Sequence, residues 1–95
     1  MLLHTINQSP FSSLSLTSCE KFSIAGDAVV FLENGVYALV HPNLKLLIQA
    51  DLKLFALQAD ILARGLQQRC PDTVKIISYP QFVELCVQYP KQKAW

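Results

Sequence analysis

Charge is scarce in this chain. Only 16% of its 95 residues are charged, against roughly 25% in an ordinary soluble domain. Eight Lys and Arg against seven Asp and Glu leave a formal net charge of +1, and no basic run is longer than Lys91-Gln92-Lys93. Direct nucleic-acid binding needs clustered cations to displace counterions from phosphates, so this composition argues against it. Glycine and proline are also few, eight residues together, and with so apolar a chain disorder is excluded. Long hydrophobic runs are missing too. The longest, Ala28-Val29-Val30-Phe31-Leu32, falls far short of the roughly 20 residues of a membrane helix. Met1-Leu2-Leu3-His4-Thr5 carries neither the charged start nor the long apolar core of a secretion signal, so the expected compartment is the cytoplasm.

Cysteines are three and odd in number, and Cys19, Cys70 and Cys86 have no paired spacing with one another or with His4 and His41. No disulfide framework or zinc knuckle is legible, and no metal is expected. The chain has no glycine-rich phosphate loop, so no cofactor is expected either. What it has in excess is apolar surface. Hydrophobic residues make up 52%, and a domain of 10.6 kDa folds to about 5,500 Å² of accessible surface. Part of that surface should be covered by other subunits.

Alternating strands and helices are predicted along one domain spanning 1–95. Leu2 to Ile6 reads as a strand, broken by Asn7-Gln8-Ser9-Pro10. Phe11 to Ala25 reads as an amphipathic helix preceded by serines able to cap it. Ala28 to Leu32 is short and wholly apolar, as a strand buried on both faces requires. Glu33-Asn34-Gly35 is compatible with a hairpin turn, but a lone antiparallel pair would interrupt the alternation, so a short helix is preferred. Leu44 to Gln49 adds a helical turn or two, and Leu52 to Leu57 a third strand. Gln58 to Leu66 is a helix stopped by Gly65. Val74 to Ser78 is the fourth strand. Tyr79 to Tyr89 is a helix opened by Pro80, with Phe82, Val83, Cys86 and Tyr89 facing the core. Lys91 to Trp95 is left as a short polar tail. The pattern predicts a small three-layer α/β sandwich on a mainly parallel sheet of four to five strands. Ligands on such sheets gather at the carboxyl ends of strands, here Asn7 to Pro10, Glu33 to Gly35 and Gln58 to Asp60.

Chemistry rests on the cysteines, since no G-x-S-x-G elbow is present. Cys86 falls on an apolar helix face and reads as a small core hydrophobe. Cys70 sits in the loop Arg69-Cys70-Pro71 with no base nearby. Cys19 depends on where its helix begins. With Thr17 as N-cap and Glu20 completing a capping box, the thiol lies near the positive end of the helix dipole and a thiolate is favoured. With Ser12 or Ser13 as cap it is mid-helix and half-buried. Asp60 and Arg64 are spaced for an ordinary ion pair within one helix, or Arg64 serves an interface. Trp95, at the end of the chain, is expected to dock at a subunit contact.

Several segments together resemble the DsrH/TusB family of small subunits from bacterial sulfur-relay complexes. They are Leu3-His4-Thr5 with Ser9-Pro10-Phe11, Gly26-Asp27 leading to Leu32-Glu33-Asn34-Gly35-Val36-Tyr37-Ala38, Asp60-Ile61-Leu62-Ala63-Arg64-Gly65, Tyr79 to Leu85, and Ala94-Trp95. The resemblance implies a DsrE/F/H-like fold. It also implies a heterohexamer with TusC-like and TusD-like (DsrF/DsrE-like) subunits, passing persulfide sulfur from a TusA-like donor to a TusE-like acceptor for 2-thiolation of the tRNA wobble uridine. The established sulfur-carrying cysteine of such complexes lies on the sister TusD/DsrE chain, which makes this subunit mainly structural. DsrH members of sulfur oxidisers carry a cysteine after a Ser-Leu-x-Ser stretch. Ser15-Leu16-Thr17-Ser18-Cys19 matches it, which implies Cys19 as an auxiliary persulfide carrier. The alternatives are a DsrH subunit of a dissimilatory sulfur-oxidation complex and a stand-alone α/β interaction or ligand-binding domain.

Overall fold

A computed structural model describes residues 1–95. Five strands, β1 (Leu3–Ile6), β2 (Ala28–Phe31), β3 (Lys53–Leu57), β4 (Val74–Ile77) and β5 (Gln92–Ala94), form one sheet in the order β4-β3-β2-β1-β5. Every neighbouring pair is parallel. Between them run α1 (Ser15–Phe22), a 3-10 helix (Glu33–Val40), α2 (Leu44–Gln49), α3 (Gln58–Ala63) and α4 (Tyr79–Gln88). The α/β sandwich on a parallel sheet is as expected.

The two sheet faces are unequally covered. Ile6, Val29, Phe31, Leu54, Ala56 and Val74 pack under α1, the 3-10 helix, α2 and α3 in the main core. On the other face Leu3, Ala28, Val30 and Ile77 meet Leu85 of α4. Strand side chains alternate between faces with period two, so adjacent residues such as Val29 and Val30 enter different cores. This is why β2 is apolar throughout, with all four residues fully buried.

Three local readings are corrected. The first helix spans Ser15–Phe22 rather than 11–25. The serines before it fold the chain on themselves instead: Ser13 Oγ donates to Gln8 Oε1 at 2.8 Å, and the Phe11 N–H donates to Ser9 Oγ at 3.2 Å. Such side chains offer the backbone local partners that compete with helix. The tail Lys91 to Trp95 is not loose, because 92–94 add strand β5 beside β1. On α4, Val83 faces solvent and Leu85 takes the buried place. The helix start was legible, since Ser78 and Gln81 form a reciprocal capping box.

The segment after β2 is the helix preferred over a hairpin. Gly35 sits so close to the end of β1 that a Cβ there would lie 1.9 Å from the Ile6 carbonyl oxygen, so this position admits no side chain. Gly65 ends α3 with φ +67, a left-handed conformation natural to glycine.

Candidate functional site

Cys19 is the fifth residue of α1, whose N-cap is Leu14 with no side-chain cap. The Thr17 capping box is therefore absent, and the thiol does not sit in the first turn, where amide dipoles would favour a thiolate. It is fully buried in the main core with Leu16 and Ile6. Burial, then the negative charges of Asp27 and Glu20, push its pKa up to about 12. At neutral pH this is an uncharged thiol walled off from solvent, the opposite of a reactive one.

The other two cysteines are no better placed. Cys70 Sγ lies 3.6 Å from both the Pro71 and Val74 carbonyl oxygens, which share its single S–H as acceptors. Burial and the nearby Asp72 push its thiol up as well. Cys86 is half-buried against the α4-side core. All three are free.

Arg64 is hydrogen-bonded within its own chain. Its Nε donates to Asn34 Oδ1 at 3.0 Å and its Nη1 to the Asp60 carbonyl oxygen at 3.1 Å. The ion pair with the Asp60 carboxylate is 3.7 Å long. Asp60 Oδ2 in turn accepts the Glu33 N–H at 2.8 Å. Glu33 has φ +50, and this bond holds that strained residue where the 3-10 helix begins. The cluster ties α3 to the start of that helix and fills the carboxyl ends of β2 and β3. No cavity opens at those strand ends. The one cavity, of 260 Å³, lies instead on the α4 face, lined by Phe55, Lys75, Ile77, Gln81, Glu84, Leu85 and Gln88.

Trp95 also finds its partner at home. Its indole N–H donates to His4 Nδ1 at 3.1 Å, and its backbone N–H donates to the Thr5 carbonyl oxygen at 2.9 Å. His4 Nε2 is 3.0 Å from Asp27 Oδ2. Asp27 also accepts the N–H groups of Leu2 (2.9 Å) and Ile24 (3.2 Å). His4 and Asp27 are buried. Burial alone would raise the Asp27 carboxyl, but the Leu2 N–H, the His4 ring and the Ile24 N–H together hold it below the ordinary carboxylate value of 3.8. The Phe22 ring meets both His4 and Trp95 edge-on, with centroids at 6.1 and 5.6 Å, and Lys93 Nζ stands 4.7 Å from the centroid of the Trp95 ring. Sequence reasoning weighed His4 only as a metal ligand and overlooked Asp27. The available signal was a histidine inside an apolar strand and an aspartate directly before a wholly buried one, since a buried polar group demands a partner.

No group of three or more His, Cys, Asp or Glu side chains is arranged to hold a metal ion, and no helix is long and apolar enough to cross a membrane. Exposed apolar side chains are many. Tyr79, Val83 and Val87 run down one side of α4 at helical spacing, with Val87 77% exposed.

A family model described as DsrH like protein matches residues 8–92. Among curated relatives, Protein TusB of Photorhabdus laumondii is 36% identical over 96 residues, covering 99% of this chain and 100% of the relative. Protein TusB of Escherichia coli strain K12 is 35% identical with the same coverage. Among solved structures, the E. coli ychN protein superposes with a TM-score of 0.77 at 15% identity, covering 99% of this chain and 97% of that one. Thermotoga maritima Tm0979 does so at 0.71 and 23%, covering 93% of each. These two share the fold.

Proposed function

This chain belongs to the DsrH-like protein family, and from that premise we propose that it is the scaffold subunit of a TusBCD-like sulfur-relay complex. In this reading the complex passes persulfide sulfur from a TusA-like donor to a TusE-like acceptor, for 2-thiolation of the tRNA wobble uridine. Relatives named TusB, alike over the full chain, support the tRNA branch over dissimilatory sulfur oxidation. The partners are TusC-like and TusD-like chains in a heterohexamer, and the compartment is the cytoplasm, where free thiols persist.

The observation that carries the scaffold role is the sealing of Cys19. Persulfide transfer needs a thiolate that can attack a sulfur atom, and Cys19 is buried with its pKa raised to about 12. The apolar stripe Tyr79, Val83 and Val87 supports assembly with other chains, because contiguous exposed apolar surface marks protein contacts. Arg64 and Trp95 serve that assembly indirectly, by fixing the fold around the 3-10 helix and β5.

A second reading keeps Cys19 as an auxiliary carrier, favoured by the Ser15-Leu16-Thr17-Ser18-Cys19 match. It requires α1 to move off the core. Loading the co-expressed complex with a persulfide donor and mapping added sulfur by peptide mass spectrometry separates the two. Sulfur on the sister chain alone, with tRNA thiolation intact in Cys19→Ser cells, supports the scaffold. Sulfur on Cys19, with thiolation reduced in that variant, establishes the carrier.

A further inference from the structure

The hydrogen bonds through His4 have a fixed polarity. An indole N–H can only donate, so His4 Nδ1, 3.1 Å from Trp95 Nε1, must present its lone pair. The proton of the neutral ring is then on Nε2, which donates to the Asp27 carboxylate at 3.0 Å. Trp95, His4 and Asp27 form a one-way chain in which the Trp95 link is satisfied only while Nδ1 is bare, whereas the Asp27 link needs only the Nε2 proton. No buried polar side-chain atom of the protein lacks a partner.

The element hanging on this chain is the slightest in the fold. Strand β5 is three residues long, none of them buried. Beyond its short ladder to β1, its first residue is tied by Gln92 Nε2, which donates to the Cys86 and Tyr89 carbonyl oxygens at 3.2 and 3.3 Å, and its far end is held by Trp95, whose ring rests on His4 and Phe22.

We infer that the Trp95–His4–Asp27 chain is a proton-operated latch, in which a second proton on the His4 ring releases Trp95 and lets β5 leave the edge of the sheet. The added proton comes from solvent and forms an N–H bond at Nδ1, using the lone pair that held the indole. Two N–H donors then face each other, and the Trp95 bond is lost.

The surrounding charges determine which end lets go. Asp27, just before β2, pairs with the imidazolium and keeps the ring in place. On the other side β5 brings Lys93, which lies opposite His4 in the β1–β5 register with its Nζ over the Trp95 and Phe22 rings. That cation repels a second positive charge. From α1 the titratable groups are the neutral Cys19 thiol, partly exposed Glu20 and exposed Lys21, and only the first is buried. The ring is thus drawn toward Asp27 and away from Trp95. Opening bares the outer edge of β1 and the part of the already exposed Phe22 ring that Trp95 covers. This device goes beyond the sulfur-relay reading and stands independently of it.

Trp95 is the only tryptophan, so its fluorescence reports the latch directly. In the full-length chain, lowering the pH should red-shift its emission and raise acrylamide quenching several-fold, in step with the NMR titration of the His4 ring Cε1–H, while far-UV circular dichroism stays native. The Trp95 indole N–H signal should lose its protection from exchange over the same pH range. His4→Gln retains an acceptor for the indole and a donor for Asp27 but cannot titrate, and should abolish the transition. Trp95→Phe should leave the His4 ring titrating with no change in β5. An indole N–H that stays protected while the His4 ring takes up its proton overturns the latch. So does a fluorescence change that coincides with global unfolding, or one that persists in His4→Gln.

Discussion

The last residue of the chain is hydrogen-bonded to the fourth: Trp95 donates its indole N–H to His4 Nδ1 at 3.1 Å across 91 positions of sequence. That contact brings the two ends of the chain together on adjacent parallel strands. On the far side of His4 the carboxylate of Asp27 anchors the start of β1 and the turn after α1, since Leu2, His4 and Ile24 all donate to it.

Asp27→Asn should be strongly destabilising. Hydrogen bonds to a charged group contribute about 1.5–3 kcal/mol, and an asparagine can offer Nδ2–H donors where acceptors are needed. The pH dependence follows from the direction of its shift. The folded-state pKa lies below the unfolded 3.8, so the stabilisation is fully present above that value and is lost as pH falls through the folded value. Wild-type chemical denaturation measured downward from pH 5 should show this acid loss. The Asn variant should start less stable and show less of it, and an equal acid slope in both would refute the assignment.

Cys19 should be the last of the three thiols to react in the native protein, with labelling by iodoacetamide limited by opening of the fold. Its alkaline behaviour has the opposite sign to that of Asp27. The unfolded thiol loses its proton near 9.0 and the folded one near 12, so stability is unaffected below pH 9 and falls as pH rises from there toward 12. Cys19→Ala should remove that part of the alkaline loss in denaturation experiments at pH 8 and 10. Rapid native labelling at Cys19, mapped by peptide mass spectrometry, would contradict its burial.

Arg64→Ala breaks the donation to Asn34 and to the Asp60 carbonyl. About 1 kcal/mol is the expected cost, since ordinary hydrogen bonds contribute 0.5–1.5 kcal/mol net and partly exposed ion pairs less. In a domain of this size that lowers Tm by roughly 4–8 °C. Arg64→Lys retains the charge but not the planar fork, so it should recover only part of the loss. Complex formation, followed by size-exclusion chromatography with mass analysis, should fall no more than stability does. Lost assembly with an unchanged Tm would make Arg64 a subunit contact.

Val87→Glu tests the apolar stripe on α4. A residue 77% exposed tolerates a charge within about 0.5 kcal/mol in the isolated fold, whereas a carboxylate buried without a partner at a contact is costly. The variant should keep its circular dichroism spectrum and Tm but fail to co-purify with TusC-like and TusD-like chains. Normal recovery of the complex would place the contact elsewhere.

What this sequence determined by itself is whatever depends on neighbours along the chain. The apolar run at Ala28–Phe31, the Ser78 to Gln81 capping box and the stop at Gly65 are local signals, and strand, helix start and helix end followed from them. The start of α1 was ambiguous because Ser12, Ser13 and Thr17 are near-equivalent caps, and the choice fell to packing, which buried Leu16 and Cys19. Only the tertiary structure decided the fate of the functional candidates. The strand order places β1 between β2 and β5, which brings Asp27, His4 and Trp95 into one hydrogen-bonded line although they stand 23 and 91 positions apart. The same folding put Cys19 on the buried face of α1 rather than at its tip. Burial and hydrogen-bond polarity depend on what surrounds a side chain in space, and in a parallel sheet those surroundings come from strands distant in sequence.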